Sequence, residues 1–515
     1  MAAASTASTG SRGPSSQDVL LRGAVAAIDV FLLVVAVVMY SHNGTWGYAA
    51  IGIACGVISH MPIVLGFVPW LSLWGALSLV VTIGASARGL AIAFGYPDRT
   101  VLTNLFTLGV PLENLLPEAV LTLACLLTLT LGYMASVGFK KIDARRSDDA
   151  FGLAEGHVPR EAFQALIGAY ALVGAVATFL YFRAIGGAGA DIAARRTVYT
   201  GESGYQSHGL LELLARAGTV ALLLFLAYRL SIKDPWTPVT LIALTVLTVN
   251  AFAINWITTT RSDLLYVTLG CLLVVRLIRG RIPPTLVVAA ALAVVLGIGA
   301  LSAARSSAQG GSQTGNSASL AFGVDSGLLN RNAFDLSKTL HITKAVPNEL
   351  PLQRGATIAN YIFAPVPRSV WPNKPVVSPG PIIGKSIYGL SQTGVPPGLV
   401  AELVWNFGRV PAVVLAGLVG LLLGWVERRA MAINRRRIAY VLVYAMVVLP
   451  FGKAIMGVAI GQAFSAAGQA ILLLAPLIWL DARLRRKARR IAAKSAKSAR
   501  SAVSSRQRLA ARSGA

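Results

Sequence analysis

The residues of this chain that could do chemistry are mostly arginines, set in polar segments between long apolar runs. Arg195 and Arg196 stand in GAGADIAARRTVYTGESGYQSHG, and Arg261 opens an apolar run after a Thr-rich turn. Arg354 and Arg368 lie with Lys374 in one long stretch rich in Pro and Gly. A guanidinium stays charged when partly dehydrated and grips phosphate oxygens in pairs. Several of them on one side of a membrane are what binding a lipid pyrophosphate would require. Taken singly, each also reads as a solvated loop charge or a contact to headgroup phosphates. The same stretch leads to Glu402 in GLVAELVWNFG, and Asn406, four residues on, shares its helical face. A carboxylate beside apolar surface has its pKa raised by desolvation, which suits a group that takes a proton from an acceptor hydroxyl. A structural pairing of Glu402 with Arg354 or Arg368 is the alternative. His341 falls beside a helical apolar stripe and reads as structural before catalytic.

The elements that must position these groups are membrane helices. The chain has 515 residues, 55% hydrophobic and 13% charged, whereas an ordinary soluble domain is roughly 25% charged. A span needs about 20 apolar residues. Runs of that kind fall near 22–40, 47–68, 71–95, 118–138, 162–182, 209–230, 237–257, 263–279, 283–303, 397–425, 438–454 and 464–480. The expected fold is therefore an all-α polytopic membrane protein of about twelve transmembrane helices. It divides into a disordered N-terminus (1–21), nine spans (22–303), a large loop (304–396), three spans (397–480) and a basic tail (481–515). Within the loop, Leu329, Ala333, Leu336 and Leu340 predict an amphipathic helix over 326–346, lying on the outer surface.

Charge sets the orientation. The net charge of +25 is concentrated in short segments such as Lys140-Lys141, Arg145-Arg146, Arg428-Arg429 and Arg435-Arg436-Arg437, and in the tail. The positive-inside rule then places both termini in the cytoplasm and the large loop outside. This distribution reads as membrane orientation and contact with anionic lipid, not nucleic-acid binding. Arg88 and the pair Glu212–Arg216 lie within apolar spans, where charge faces a bundle interior or a cavity. Spacing of four lets Glu212 pair with Arg216.

Other chemistries lack their signatures. Cys55, Cys125 and Cys271 sit in apolar runs and the five histidines lack ligand spacing, so no metal or other cofactor is expected. The first outer loop, SHNGTW, holds no metal-binding acidic pair. No Walker sequence, GxSxG or HExxH occurs.

The run PNELPLQRGATIANYIFAPVPRSVWPNKP, a Gly- and Pro-rich stretch and then AELVWNFG together resemble the Wzy-type oligosaccharide repeat-unit polymerases, or O-antigen polymerases. The matching positions are Gly355, Pro367-Arg368, Trp371-Pro372, Lys374-Pro375, Glu402 and Asn406-Phe407-Gly408. Arg261 at the head of a span, Arg195 or Arg196 in the preceding large loop, and the Arg368-to-Gly384 spacing agree with that pattern. The resemblance implies a glycosyltransferase of the bacterial cytoplasmic membrane. It would join polyprenyl-pyrophosphate-linked oligosaccharide repeat units into a surface polysaccharide on the outer face. Chain-length regulator and flippase proteins are the implied partners. It implies pyrophosphate held by Arg195, Arg196, Arg261, Arg354, Arg368 and Lys374, with Glu402 acting on the acceptor. A ligase that moves a finished glycan to another acceptor, and a flippase for the lipid-linked unit, are the other functions considered.

Overall fold

The computed structural model describes residues 16–41, 45–95, 112–138, 160–186, 209–232, 235–258, 261–279, 282–308, 334–363, 366, 371, 373–375, 377–389, 395–432, 438–483 and 486. Among them every regular element is helical. In chain order the longer ones are α1 (Ser16–Tyr40), α2 (Thr45–Val64), α3 (Leu73–Ala93), α4 (Leu116–Val137), α5 (Arg160–Ile185), α6 (Gly209–Ile232) and α7 (Pro238–Thr258). There follow α8 (Arg261–Arg279), α9 (Pro284–Ala308), α10 (Leu336–Ala345), α11 (Gly380–Tyr388), α12 (Gly398–Phe407), α13 (Arg409–Ala432), α14 (Ile438–Gly457) and α15 (Ile460–Arg483).

Eleven of the described helices are long and apolar enough to cross a membrane, which makes this a multi-pass membrane protein. The expected span at 263–279 corresponds to the nineteen-residue α8, which is not among these eleven: Arg261, Asp263, Arg276 and Arg279 stand near its ends, and Leu273 and Val274 are buried in the bundle. The expected span at 397–425 is two helices instead. Gly408, at φ 87, breaks the chain between α12 and α13. The ten residues of α12 extend only about 15 Å, too short to cross about 30 Å of hydrocarbon. Glu402 therefore does not head a membrane span. It sits in a separate short helix.

The predicted surface helix is also corrected. Its described part, α10, packs against α4, α11 and α12, and nine of its ten residues are buried. The polar face that reads as solvent-facing carries Lys338, Thr339, His341 and Thr343, all buried. Residues 309–333, including Leu329 and Ala333, lie outside the described residues.

Small residues let the helices approach closely, as lipid-embedded bundles require. α13 lies along α4 with Gly417, Gly420 and Gly424 against it. A Cβ added at Gly420 would overlap the Leu129 carbonyl. Trp74 of α3 stacks obliquely on Tyr133 of α4 at 4.2 Å, and both are fully buried. Beside them Glu427 of α13, also fully buried, accepts from the Leu73 amide at 2.9 Å and from the Tyr444 hydroxyl of α14. α1 packs on α2, where Asp29 meets His60 Nδ1 at 2.6 Å and His60 Nε2 meets Thr82 Oγ1 of α3 at 2.8 Å.

Gly420→Leu should force α13 away from α4. The expected cost is about 1–3 kcal/mol or more, seen as a lower thermal unfolding temperature in detergent, while Leu421→Ala on the exposed side should leave that temperature nearly unchanged.

Candidate functional site

The long polar segment is anchored to the bundle at two points. The first is the start of α10. Asp335 caps that helix by accepting from the Lys338 amide, and its other oxygen pairs with Arg88 of α3 at 2.9 Å; both members of the pair are 3% exposed. This partner explains how α3 tolerates an arginine among apolar neighbours. Next to it α3 forms a π-helical turn, Thr82–Ala87. The backbone of Phe334 presses on Gly84 in that turn so closely that a Cβ there would overlap the Phe334 carbonyl.

The second anchor is α12. The last carbonyls of a helix need outside donors. Here the Gln353 amide donates to Trp405 O at 3.0 Å and the Arg354 amide to Asn406 O at 2.9 Å. Trp405 Nε1 donates to Pro351 O at 3.1 Å. Making both backbone bonds puts Arg354 in the left-handed region, at φ 50, followed by Gly355 at φ 90. A non-glycine residue held there costs on the order of 1–3 kcal/mol and persists where its surroundings over-determine it.

The surroundings here are a network of side chains. Asn406 accepts from the Gly355 amide at 2.9 Å through Oδ1, and its Nδ2 donates to Thr357 Oγ1 at 2.7 Å and to Glu402 O at 2.7 Å. Thr357 donates in turn to Glu402 Oε1 at 3.0 Å. Glu402 Oε2 accepts from the Ile460 amide at 2.6 Å, at the first residue of α15. Glu402 is 0% exposed. Burial raises its carboxyl to about 7, partly opposed by the bonds from Ile460 and Thr357. Neither oxygen faces outward, and neither pairs with Arg354. The geometry makes Glu402 a clamp beneath the Arg354 turn.

The remaining sequence-predicted residues divide clearly. The Arg354 side chain is exposed. Lys374 donates to Val366 O at 2.8 Å and to Phe363 O at 3.2 Å, so its ammonium closes the end of a short helical turn. Trp371, 38% exposed, meets Phe363 edge-on at 5.2 Å. His341 is buried and bonded through Nδ1 to Ser337 O at 2.8 Å, a partner within its own helix. Gly384 lies buried in α11. Glu212 and Arg216 pair at 3.3 Å as their spacing predicts. Arg261 opens α8. Arg195, Arg196 and Arg368 lie outside the described residues.

The chain matches no family model, curated protein or solved structure. Its site must be read from its own geometry. Sequence reasoning missed Thr357, which carries no signal in TIANYIF, and Asp335, whose partner is far away in the chain. It also passed over Asp29, His60, Glu427 and Lys453, although each stands in an apolar run and the reasoning applied to Arg88 would have found them.

Glu402 yields a test of the clamp. Its carboxyl holds a proton more tightly when folded, about 7 against 4.5. Its contribution to stability is therefore largest below about pH 4.5 and declines as the pH rises to about 7. In detergent, the unfolding temperature of the wild type should fall across that window relative to Glu402→Gln. Parallel curves would exclude Glu402 as the titrating group. Asn406→Ala should lower stability at every pH by about 1–3 kcal/mol, the cost of leaving buried partners unpaired.

Proposed function

We propose that this protein is a membrane glycosyltransferase that polymerises polyprenyl-pyrophosphate-linked oligosaccharide repeat units, with Arg354 as a pyrophosphate-binding residue. The observation that carries the reading is the Arg354 turn itself. An exposed guanidinium sits on a strained backbone, fixed by two main-chain bonds and by a buried Glu402–Thr357–Asn406 network. A scaffold of that kind holds a charge where a ligand's charge will be, so little reorganisation is needed at the moment of reaction. The resemblance of this segment to the repeat-unit polymerases names the ligand.

On this reading the bond from the donor sugar's anomeric carbon to the pyrophosphate oxygen breaks. A bond forms from that carbon to a hydroxyl oxygen of the acceptor unit. Arg354, with Arg368, Arg196 or Arg195, and Arg261, stabilises the charge that develops on the leaving pyrophosphate. Glu402 is a positioning residue in this scheme. With both oxygens occupied it does not take the acceptor proton, and a pyrophosphate oxygen receives it instead. Trp371 and Lys374 brace the Pro-rich block beside the turn. The reaction belongs to the outer face of a bacterial cytoplasmic membrane, with chain-length regulator and flippase proteins as partners.

The test is the size of surface glycan in cells. Deleting the gene should leave single repeat units in place of polymer. Arg354→Gly keeps a residue that adopts φ 50 easily and removes only the guanidinium. It should reduce polymer formation about 100-fold or more, the usual effect of deleting one preorganised charge-stabilising donor. Arg354→Lys should recover part of it. Full-length polymer from Arg354→Gly would overturn the role of this residue. Long chains left unattached after gene deletion would point to a ligase.

A further inference from the structure

A second set of polar side chains lies at the end of the bundle that carries the Arg354 turn. Glu212, in the first turn of α6, and Asp263, in the first turn of α8, both reach Arg216, at 3.3 and 3.4 Å. Arg216 stands where α6 breaks between Ala215 and Ala217. Lys453, one turn before the end of α14, holds its ammonium 4.9 Å from the centre of the Tyr266 ring. Asp263 and Arg216 are the charged groups whose fields act on it. The end of α14 is joined to the Glu402 clamp, because the Gly398 amide donates to Val458 O at 2.9 Å and the Ile460 amide donates to Glu402.

The hydrogen-bond inventory of this cluster is lopsided. An ammonium carries three donors. That of Lys453 makes no hydrogen bond or ion pair with another described residue. Tyr266 is 8% exposed, and its buried hydroxyl has no hydrogen-bond partner among the described residues. The two nearby carboxylates are committed to Arg216. The Arg88–Asp335 pair differs in that each charge faces an opposite charge at 2.9 Å. Lys453 is part-buried and Tyr266 buried, so this cluster leaves donors unspent at the end of the bundle, where an unmade bond is costly and an ionisable residue marks a functional site by default. Unspent donors call for a guest rich in acceptors and negatively charged. At the end of membrane helices that guest is the phosphate of a lipid, for which an ammonium is a suitable point charge.

We propose that Lys453 and Tyr266, with Arg216 beside them, form a binding site for a lipid phosphate at the junction of α6, α8 and α14. If the proposed glycan transfer holds, on which this finer assignment rests, the lipid is a polyprenyl pyrophosphate. The site then holds the carrier at the end of α14, which the Gly398–Val458 and Ile460–Glu402 bonds join to the clamp beneath Arg354.

The experiment uses the full-length protein in phosphatidylcholine nanodiscs, titrated separately with polyprenyl pyrophosphate and with phosphatidylglycerol. Binding is followed by thermal shift and by lipid retained in native mass spectrometry. Polyprenyl pyrophosphate should raise the unfolding temperature of the wild type. Its half-saturating concentration should rise about tenfold in Lys453→Met and about threefold in Tyr266→Phe, while Lys453→Arg stays close to wild type. Equal affinity for phosphatidylglycerol, with the same order of variants, would keep the lipid-phosphate site and overturn its assignment to the carrier. Unchanged binding in folded Lys453→Met and Tyr266→Phe, or no binding of either probe, would overturn the site. Binding is read without glycan transfer. A gene deletion that leaves surface polymer intact would therefore sink the transferase and leave this result standing.

Discussion

The buried carboxylate of Glu402 is the constraint on which the arrangement around Arg354 depends. Taking a carboxyl out of water is expensive, and this one is fully buried. The cost is offset by what it holds. One oxygen fixes Thr357, and through it Asn406 and the turn at Arg354 and Gly355. The other receives the first amide of α15. A helix N-terminus within apolar surroundings has free N–H groups that no water can satisfy, and a carboxylate there also meets the positive end of the helix dipole. One side chain thus joins a short helix, a strained turn and a membrane helix. Replacing it with an apolar residue of similar volume would strand the Thr357 hydroxyl and the Ile460 amide together.

The same device recurs elsewhere in the molecule. Glu427 accepts from the amide of Leu73, the first residue of α3, and from Tyr444 of α14. Asp335 accepts from an amide in the first turn of its own helix while it pairs with Arg88. Each of these three acids caps a helix start and binds a second element. The acids of the described bundle therefore act mainly as structural acceptors. Most of its charge-bearing freedom lies with cations, Arg354 on the turn and Lys453 over its tyrosine ring.

The long apolar runs were legible from hydropathy because a membrane-crossing helix must be apolar along most of its length. The boundary between α12 and α13 was not. GLVAELVWNF and VPAVVLAGLVGLLLGWV are parted only by Gly408-Arg409 and read as one run, and the conformation of Gly408 makes them two helices. The burial of α10 was hidden for a related reason. Lys338, Thr339, His341 and Thr343 look like a solvent face, and a single strand of sequence does not reveal that other helices close over it. Arg354, Glu402 and Asn406 could be picked out by residue type and by resemblance. Their roles could not, because they depend on Thr357 and Ile460, contributed by segments 45 and 58 residues from Glu402. Periodicity describes one helix at a time, and the clamp joins α12, the Arg354 turn and α15.

This division of roles bears on how a transferase of this kind would work. A base must exchange a proton with an acceptor, so at least one oxygen must face the substrate in the conformation that reacts. Glu402 would have to give up its bond to Thr357 or to Ile460 to do so. Breaking either would loosen the turn that positions Arg354, and the proton transfer would undo the preorganisation it serves. A leaving pyrophosphate removes the conflict. Its oxygens are acceptors in their own right and gain negative charge as the glycosidic bond breaks, so they become most basic when the acceptor hydroxyl must lose its proton. Cations that hold the pyrophosphate then stabilise the leaving group and position the proton's destination together. A site that sets the exposed Arg354 over the buried, fully bonded Glu402 is consistent with that economy, and a catalytic carboxylate is not needed to complete it.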